Sequence, residues 1–107
     1  MLNKRKLCLD ISLLTTKEKL DIASLLNSNK EAFEILFDEN NIEIINALAK
    51  NPNLPEYMFY KIYKQYYNNA YTLGLLVSNV SIPLDLKEII FDILEKYVQE
   101  VSFYCEK

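Results

Sequence analysis

The chain has 107 residues, twelve basic and fifteen acidic side chains, and a net charge of −3, so it is read as one domain. Half of the residues are hydrophobic and a quarter are charged, a composition that excludes disorder as the default. With no histidine and one glycine, His-based acid–base catalysis, Ser-His and Cys-His nucleophile pairs, the common zinc sites and Gly-rich phosphate loops are excluded.

The charge is uneven. Lys4, Arg5 and Lys6 form a basic N-terminal cluster, and from Asp10 onward nine basic residues face fifteen acidic ones. A body of −6 disfavours a general phosphate-backbone binder and favours, if anything, a basic partner. No run approaches the about 20 apolar residues of a membrane span. Cys8 and Cys105 have no CxxC spacing, and the run from Leu7 to Leu14 is interrupted by Asp10 and has no small-residue cleavage site. The expectation is a cytoplasmic protein with free thiols.

In chain order, Leu7, Leu9, Ile11 and Leu13 alternate with Cys8, Asp10 and Ser12, the period of a strand. A lone strand would need a partner strand, for example from a second copy. Residues 1–14 are read instead as an extended or helical arm covering the end of the first helix pair, with homodimerisation through this arm left open. Thr15-x-x-Glu18 has capping-box form and opens a helix to about Asn27, with Leu20, Ala23 and Leu26 on its inner face and Ile22 and Leu25 beside them. Ser28-x-x-Glu31 opens a second, in which Ala32, Phe33, Leu36 and Phe37 keep helical spacing. Asn40-x-x-Glu43 opens a third, carried by Ile42, Ile45, Leu48 and Ala49. Asn51-Pro52 stops it, because the residue before proline avoids the α region. Pro55 suits the start of a fourth helix through Met58, Ile62 and Tyr66. Asn68 or Asn69 caps a fifth with Leu73, Leu76 and Val77. Pro83 introduces the sixth and longest, where Leu86, Ile89, Ile90, Ile93, Leu94, Tyr97 and Val101 form a wide stripe.

A phrase recurs along this path. Asn51-Pro52-Asn53-Leu54-Pro55 is followed 28 residues later by Asn79-Val80-Ser81-Ile82-Pro83, and Asn27-Ser28-Asn29-Lys30 is a weaker third copy. Self-similarity at such a period predicts stacked helical repeats. The expected fold is all-α: three stacked antiparallel helix pairs, about 15–38, 40–66 and 68–103, in a short solenoid-like domain. Connections of about two to five residues make neighbouring helices antiparallel, and the long last helix acts as a cap with its acids facing water. Gly74 within a helix predicts close approach of another helix, against Leu86 or Ile90, so that Gly74→Leu would be destabilising. A small ligand pocket at Gly74 is the lesser reading.

The run Ala47-Leu48-Ala49-Lys50-Asn51-Pro52-Asn53-Leu54-Pro55-Glu56-Tyr57-Met58 resembles the leucine-rich repeat variant family, whose repeats have about this length and a similar Leu-Ala-x-Asn-Pro-Asn-x-Pro core. The match is specific over one repeat; residues 76–90 match loosely, with Val80 where proline is expected, and residues 20–37 match in hydrophobic spacing only. The resemblance implies a right-handed helical superhelix and an interaction scaffold. One member carries an iron–sulfur cluster on a cysteine-rich segment that has no counterpart here, so no cofactor is carried over.

Candidate functional residues follow from the helical faces. Tyr57, Tyr60, Tyr63 and Tyr67 share one face of the fourth helix, roughly opposite Met58, Ile62 and Tyr66. Tyrosine suits a protein-binding surface, having a large rigid ring, a polar tip and little rotamer entropy. The alternative is that the central helix pair buries this face against both neighbours. Lys61 and Lys64 flank the stripe, so stacking of single-stranded nucleic acid is a third reading. Glu31, Glu34 and Asp38 line one helix; Asp85, Glu88, Asp92 and Glu95 line another. The pairs Glu31/Glu34 and Glu88/Asp92 read as solvated faces rather than catalytic dyads, and the acids near helix C-termini oppose the helix dipole. The expected function is a non-catalytic protein-interaction module using the Tyr57/Tyr60/Tyr63/Tyr67 face with adjacent Lys64 and acids. The alternative is a small acidic inhibitor or antitoxin-like protein, of phage or mobile-element type, that masks a basic nucleic-acid-binding surface of an enzyme.

Overall fold

A computed structural model describes residues 10–27 and 29–105, with side chains placed to residue 97. The fold is all-α. Six helices follow a short helical turn at 10–12: α1 (Thr16–Leu25), α2 (Lys30–Asp38), α3 (Ile42–Lys50), α4 (Glu56–Tyr66), α5 (Ala70–Ser78) and α6 (Leu84–Cys105). The first turn buries Ile11 in the core while Leu13 stays exposed, so this part of the arm is helical rather than a strand. Cys8, the basic cluster and the rest of the arm lie outside the described residues.

The packing order explains the helix faces. α1, α3 and α5 lie side by side, and α6 closes on α5; α2 packs on α1 and α3, and α4 on α3 and α5. α3 is therefore covered from several sides, and Ile44, Ile45, Ala47, Leu48 and Ala49 are all buried. α2 buries Ala32, Phe33, Ile35, Leu36 and Phe37; α4 buries Met58, Phe59 and Ile62; α6 seals the core with Leu86 and Ile90. Two expected core residues face water instead. Leu25, 78% exposed, points away from buried Ala23, and Ile42 at the start of α3 is partly uncovered. Ile89 and Tyr97 on α6, both expected in its apolar stripe, are likewise exposed beside the buried Leu86 and Ile90.

Caps set the helix starts. The Thr15 hydroxyl accepts from the Glu18 N–H at 3.2 Å, and the Glu18 carboxylate accepts from the Thr15 N–H at 2.9 Å, completing the expected capping box. At the next two starts the cap falls one residue later than expected. Asn29, not Ser28, accepts from the Ala32 N–H, and Asn41, not Asn40, accepts from the Glu43 N–H. Asn40 instead takes φ of 55°, the left-handed conformation that ends α2, which asparagine tolerates better than most residues. Asn69 caps α5 through the Thr72 N–H, and Pro55 starts α4.

Gly74 corrects another expectation. A Cβ built there would meet nothing within 4 Å, so no helix approaches closely enough to demand glycine, and the argument for a destabilising Gly74→Leu is removed.

The recurring phrase has a structural meaning. Asn51 and Asn79 are the C-terminal caps of α3 and α5, and both are buried. Each Oδ1 accepts from the backbone two residues on, Asn53 at 2.8 Å and Ser81 at 2.9 Å, and each carbonyl accepts from the residue three on, Leu54 and Ile82. Each amide then reaches back into the preceding turn. Asn51 Nδ2 donates to the carbonyls of Ala23 and Leu26 at 2.9 and 2.8 Å; Asn79 Nδ2 donates to those of Ala49 and Asn51 at 2.8 and 2.9 Å. The Asn51 carbonyl thus serves both its own turn and the next asparagine. A ladder of side-chain amides ties α1 to α3 and α3 to α5.

Candidate functional site

The tyrosine face of α4 is shaped by this arrangement. Met58, Phe59 and Ile62 point into the core, which leaves Tyr57, Tyr60 and Lys64 on the outer side of the helix. The Tyr57 hydroxyl donates to Glu34 Oε1 on α2 at 3.1 Å, and the Tyr60 hydroxyl donates to Asp85 Oδ1 on α6 at 2.8 Å. Tyr57, Tyr60 and Tyr63 are half-buried and pack against the core, whereas Tyr67 beyond the helix end is 57% exposed. The four tyrosines therefore split: Tyr57 and Tyr60 are tied by their hydroxyls, Tyr63 is held by packing, and Tyr67 is largely exposed.

The electrostatics follow. Burial first, then the hydrogen bond to Glu34 and the charges of Glu34 and Glu31, push the Tyr57 hydroxyl up to about 12. The bond to Asp85 raises Tyr60 above the usual tyrosine value, with burial adding to it. Both phenols stay neutral donors through the physiological range. Lys30 sits 5.1 Å above the Tyr57 ring and Lys61 5.0 Å above Phe37, so Lys61 is committed to an intramolecular ring contact. Glu31, Asp38, Lys64, Glu88 and Asp92 are exposed, and Glu34, which accepts the Tyr57 hydroxyl, is half-buried.

What sequence reasoning missed is mostly cross-helix chemistry. The partners Glu34–Tyr57 and Tyr60–Asp85 are 23 and 25 residues apart, close to the repeat interval. That coincidence is the signal that could have paired them. A second feature was also missed: an open cavity of about 310 Å³ lined by Tyr67, Asn68, Ile93, Lys96 and Tyr97, where α6 leaves the α4–α5 turn.

Among the described residues, no group of three or more acidic or cysteine side chains is placed to hold a metal ion, and no helix is long and apolar enough to cross a membrane. No family model matches this sequence, and neither a curated protein nor a solved structure matches it at a significant level.

Proposed function

We propose that this chain is a short helical-repeat scaffold that binds a protein partner without catalysis, through the outer face of α2, α4 and α6. The asparagine ladder supports the repeat reading, because two successive turns use the same residue for the same bonds. The binding reading rests on one observation: Tyr57 and Tyr60 are held by hydroxyl–carboxylate bonds to two different neighbouring helices while their rings stay partly open. Rings fixed in this way lose little side-chain freedom on association, which is what a tight contact needs. The surrounding acids select a basic partner.

The test is capture from the source cell's lysate by wild type and by Tyr57→Ser/Tyr60→Ser, with circular dichroism showing that the variant keeps its helices. A protein retained by wild type alone supports the reading; equal retention by the folded variant overturns it. The exposed acids Glu31, Asp38, Glu88 and Asp92 favour the second reading, an inhibitor that covers a basic nucleic-acid-binding surface. Steep loss of capture with added salt distinguishes it from a tyrosine-anchored contact.

A further inference from the structure

The outer helices meet at two junctions, α2 with α4 over α3 and α4 with α6 over α5. Counted from the first residue of each helix, both junctions use the same positions. At the first, Tyr57, second in α4, donates to Glu34, fifth in α2; at the second, Tyr60, fifth in α4, donates to Asp85, second in α6. The bond keeps its place while donor and acceptor change helices. Its surroundings differ. The α2–α4 junction holds two cations of its own: Lys30, first in α2, lies 5.1 Å from the centre of the Tyr57 ring, and Lys61, sixth in α4, lies 5.0 Å from that of Phe37, eighth in α2. At the α4–α6 junction the first residue of α4 is Glu56, the sixth of α6 is Ile89 and the eighth of α4 is Tyr63. One lysine is thus replaced by an acid and the other by an aliphatic side chain that is 45% exposed. Neighbouring lysines do not make up the loss. Lys61 is turned to Phe37, Lys87 lies 5.9 Å from the Phe91 ring on its own helix, and Lys64, one turn beyond Tyr60, lies over no ring among the described residues. Glu56 and Asp85 are exposed and the Tyr60 ring is partly open. The bond to Asp85 first, then burial, then the charges of Asp85 and Glu56 raise the Tyr60 hydroxyl above its usual value, so both carboxylates act on this ring.

We infer that the α4–α6 junction takes its cation from outside: an arginine side chain of a partner protein, set over the Tyr60 ring with its guanidinium between the carboxylates of Glu56 and Asp85. The inference rests on the partner-binding reading and names the partner's anchor. Charge complementarity selects this occupant, since two acids and an open ring stand where the sister junction has lysines. The Tyr60 hydroxyl uses Asp85 Oδ1, and a carboxylate has further acceptor sites. A guanidinium can lie flat on a ring while its edge donates to carboxylates, and it is less strongly hydrated than an ammonium, which favours arginine over lysine. Ile89, one turn after Asp85, offers apolar surface to the stem of the incoming side chain.

Titration of N-acetylarginine methylamide into the full chain, with the tyrosine ring signals followed by NMR, tests it. The citrulline analogue, of similar shape but neutral, is the comparison. The arginine compound should shift the Tyr60 ring signals saturably, more weakly as salt is added, and the citrulline compound should not. Ile89→Lys gives the junction the kind of cation its sister holds and should weaken binding about tenfold, while Ile89→Gln, polar but neutral, should leave it unchanged. Ile89 is exposed enough for both variants to keep their helices, which circular dichroism checks. Tyr60 signals that stay fixed at tens of millimolar of the arginine compound overturn the inference. So does an equal response to citrulline, or equal binding by Ile89→Lys and Ile89→Gln. The partner-binding reading fails separately. A lysate protein held equally by wild type and Ile89→Lys keeps that reading and overturns this inference; arginine-specific shifts with no protein captured overturn that reading alone.

Discussion

Asn51 does three things with one side chain: its oxygen turns the chain after α3, and its two amide hydrogens satisfy carbonyls of the α1 terminus. Asn51→Ala leaves those acceptors without their donor in the interior and should destabilise the fold by about 2–3 kcal/mol. Asn51→Asp should cost more, since it removes the same donors and adds a buried charge. Urea denaturation of the three proteins checks the order. Tyr57 makes a different prediction. Its hydroxyl titrates near 12 in the fold, against the ordinary 10, so the fold prefers the neutral phenol. That preference contributes fully below pH 10 and is lost as pH rises from 10 to 12. In an ultraviolet titration Tyr57 should be among the last tyrosines to ionise. Tyr57→Phe should remove that late step and flatten the alkaline loss of stability between those limits; a late step that survives in Tyr57→Phe would show that another tyrosine carries it. Neither role is visible in one residue's neighbourhood in the sequence. The repeated asparagine marked a boundary, but only the stacked helices show what its amide reaches.

Helix boundaries were legible because they rest on local chemistry: Thr15 with Glu18, the prolines at 52, 55 and 83, and Asn69 before α5. The one-residue displacement at α3 has a physical cause. Asn40 and Asn41 are chemically identical caps, and the chain spends the first on a left-handed turn that only the path out of α2 requires. Faces were legible where a helix has one buried side, as in α2, and less so for α1, whose Ile22 and Leu26 are half-covered and whose Leu25 is exposed. Gly74 carries a prediction at this scale. With space for a Cβ and ordinary helical backbone, Gly74→Ala should stabilise the protein by up to about 1 kcal/mol, read as a rise in melting temperature. A fall would mean that a neighbour approaches after all. Thr15→Ala should lose about 1 kcal/mol by opening the capping box. The Thr15 backbone N–H first, and its hydroxyl second, hold the Glu18 carboxyl below its usual 4.5. The carboxylate's share of the cap is therefore present above that pH and fades as pH falls through and below it.

The ladder also decides how the whole molecule comes apart. α3 lies between α1 and α5 and is bound to each by an asparagine amide, so its amides should exchange slowest with solvent. α1 is held to α3 by Asn51, to α2, and by the Lys19–Glu39 pair at 2.8 Å, which joins it to the α2–α3 turn. A surface pair of this kind contributes at most about 1 kcal/mol. Cutting the ladder at its two rungs should therefore have opposite spatial effects. Asn51→Ala should loosen α1 most, because the bonds to Ala23 and Leu26 are its buried polar ties to the rest of the fold. Asn79→Ala should loosen α5 and α6, which lie beyond that rung, while α1 keeps its protection. Native-state hydrogen exchange on both variants resolves the two cases. Uniform loss of protection along the chain in both would show that the helices unfold as one unit, with the ladder adding stability but no order to their release.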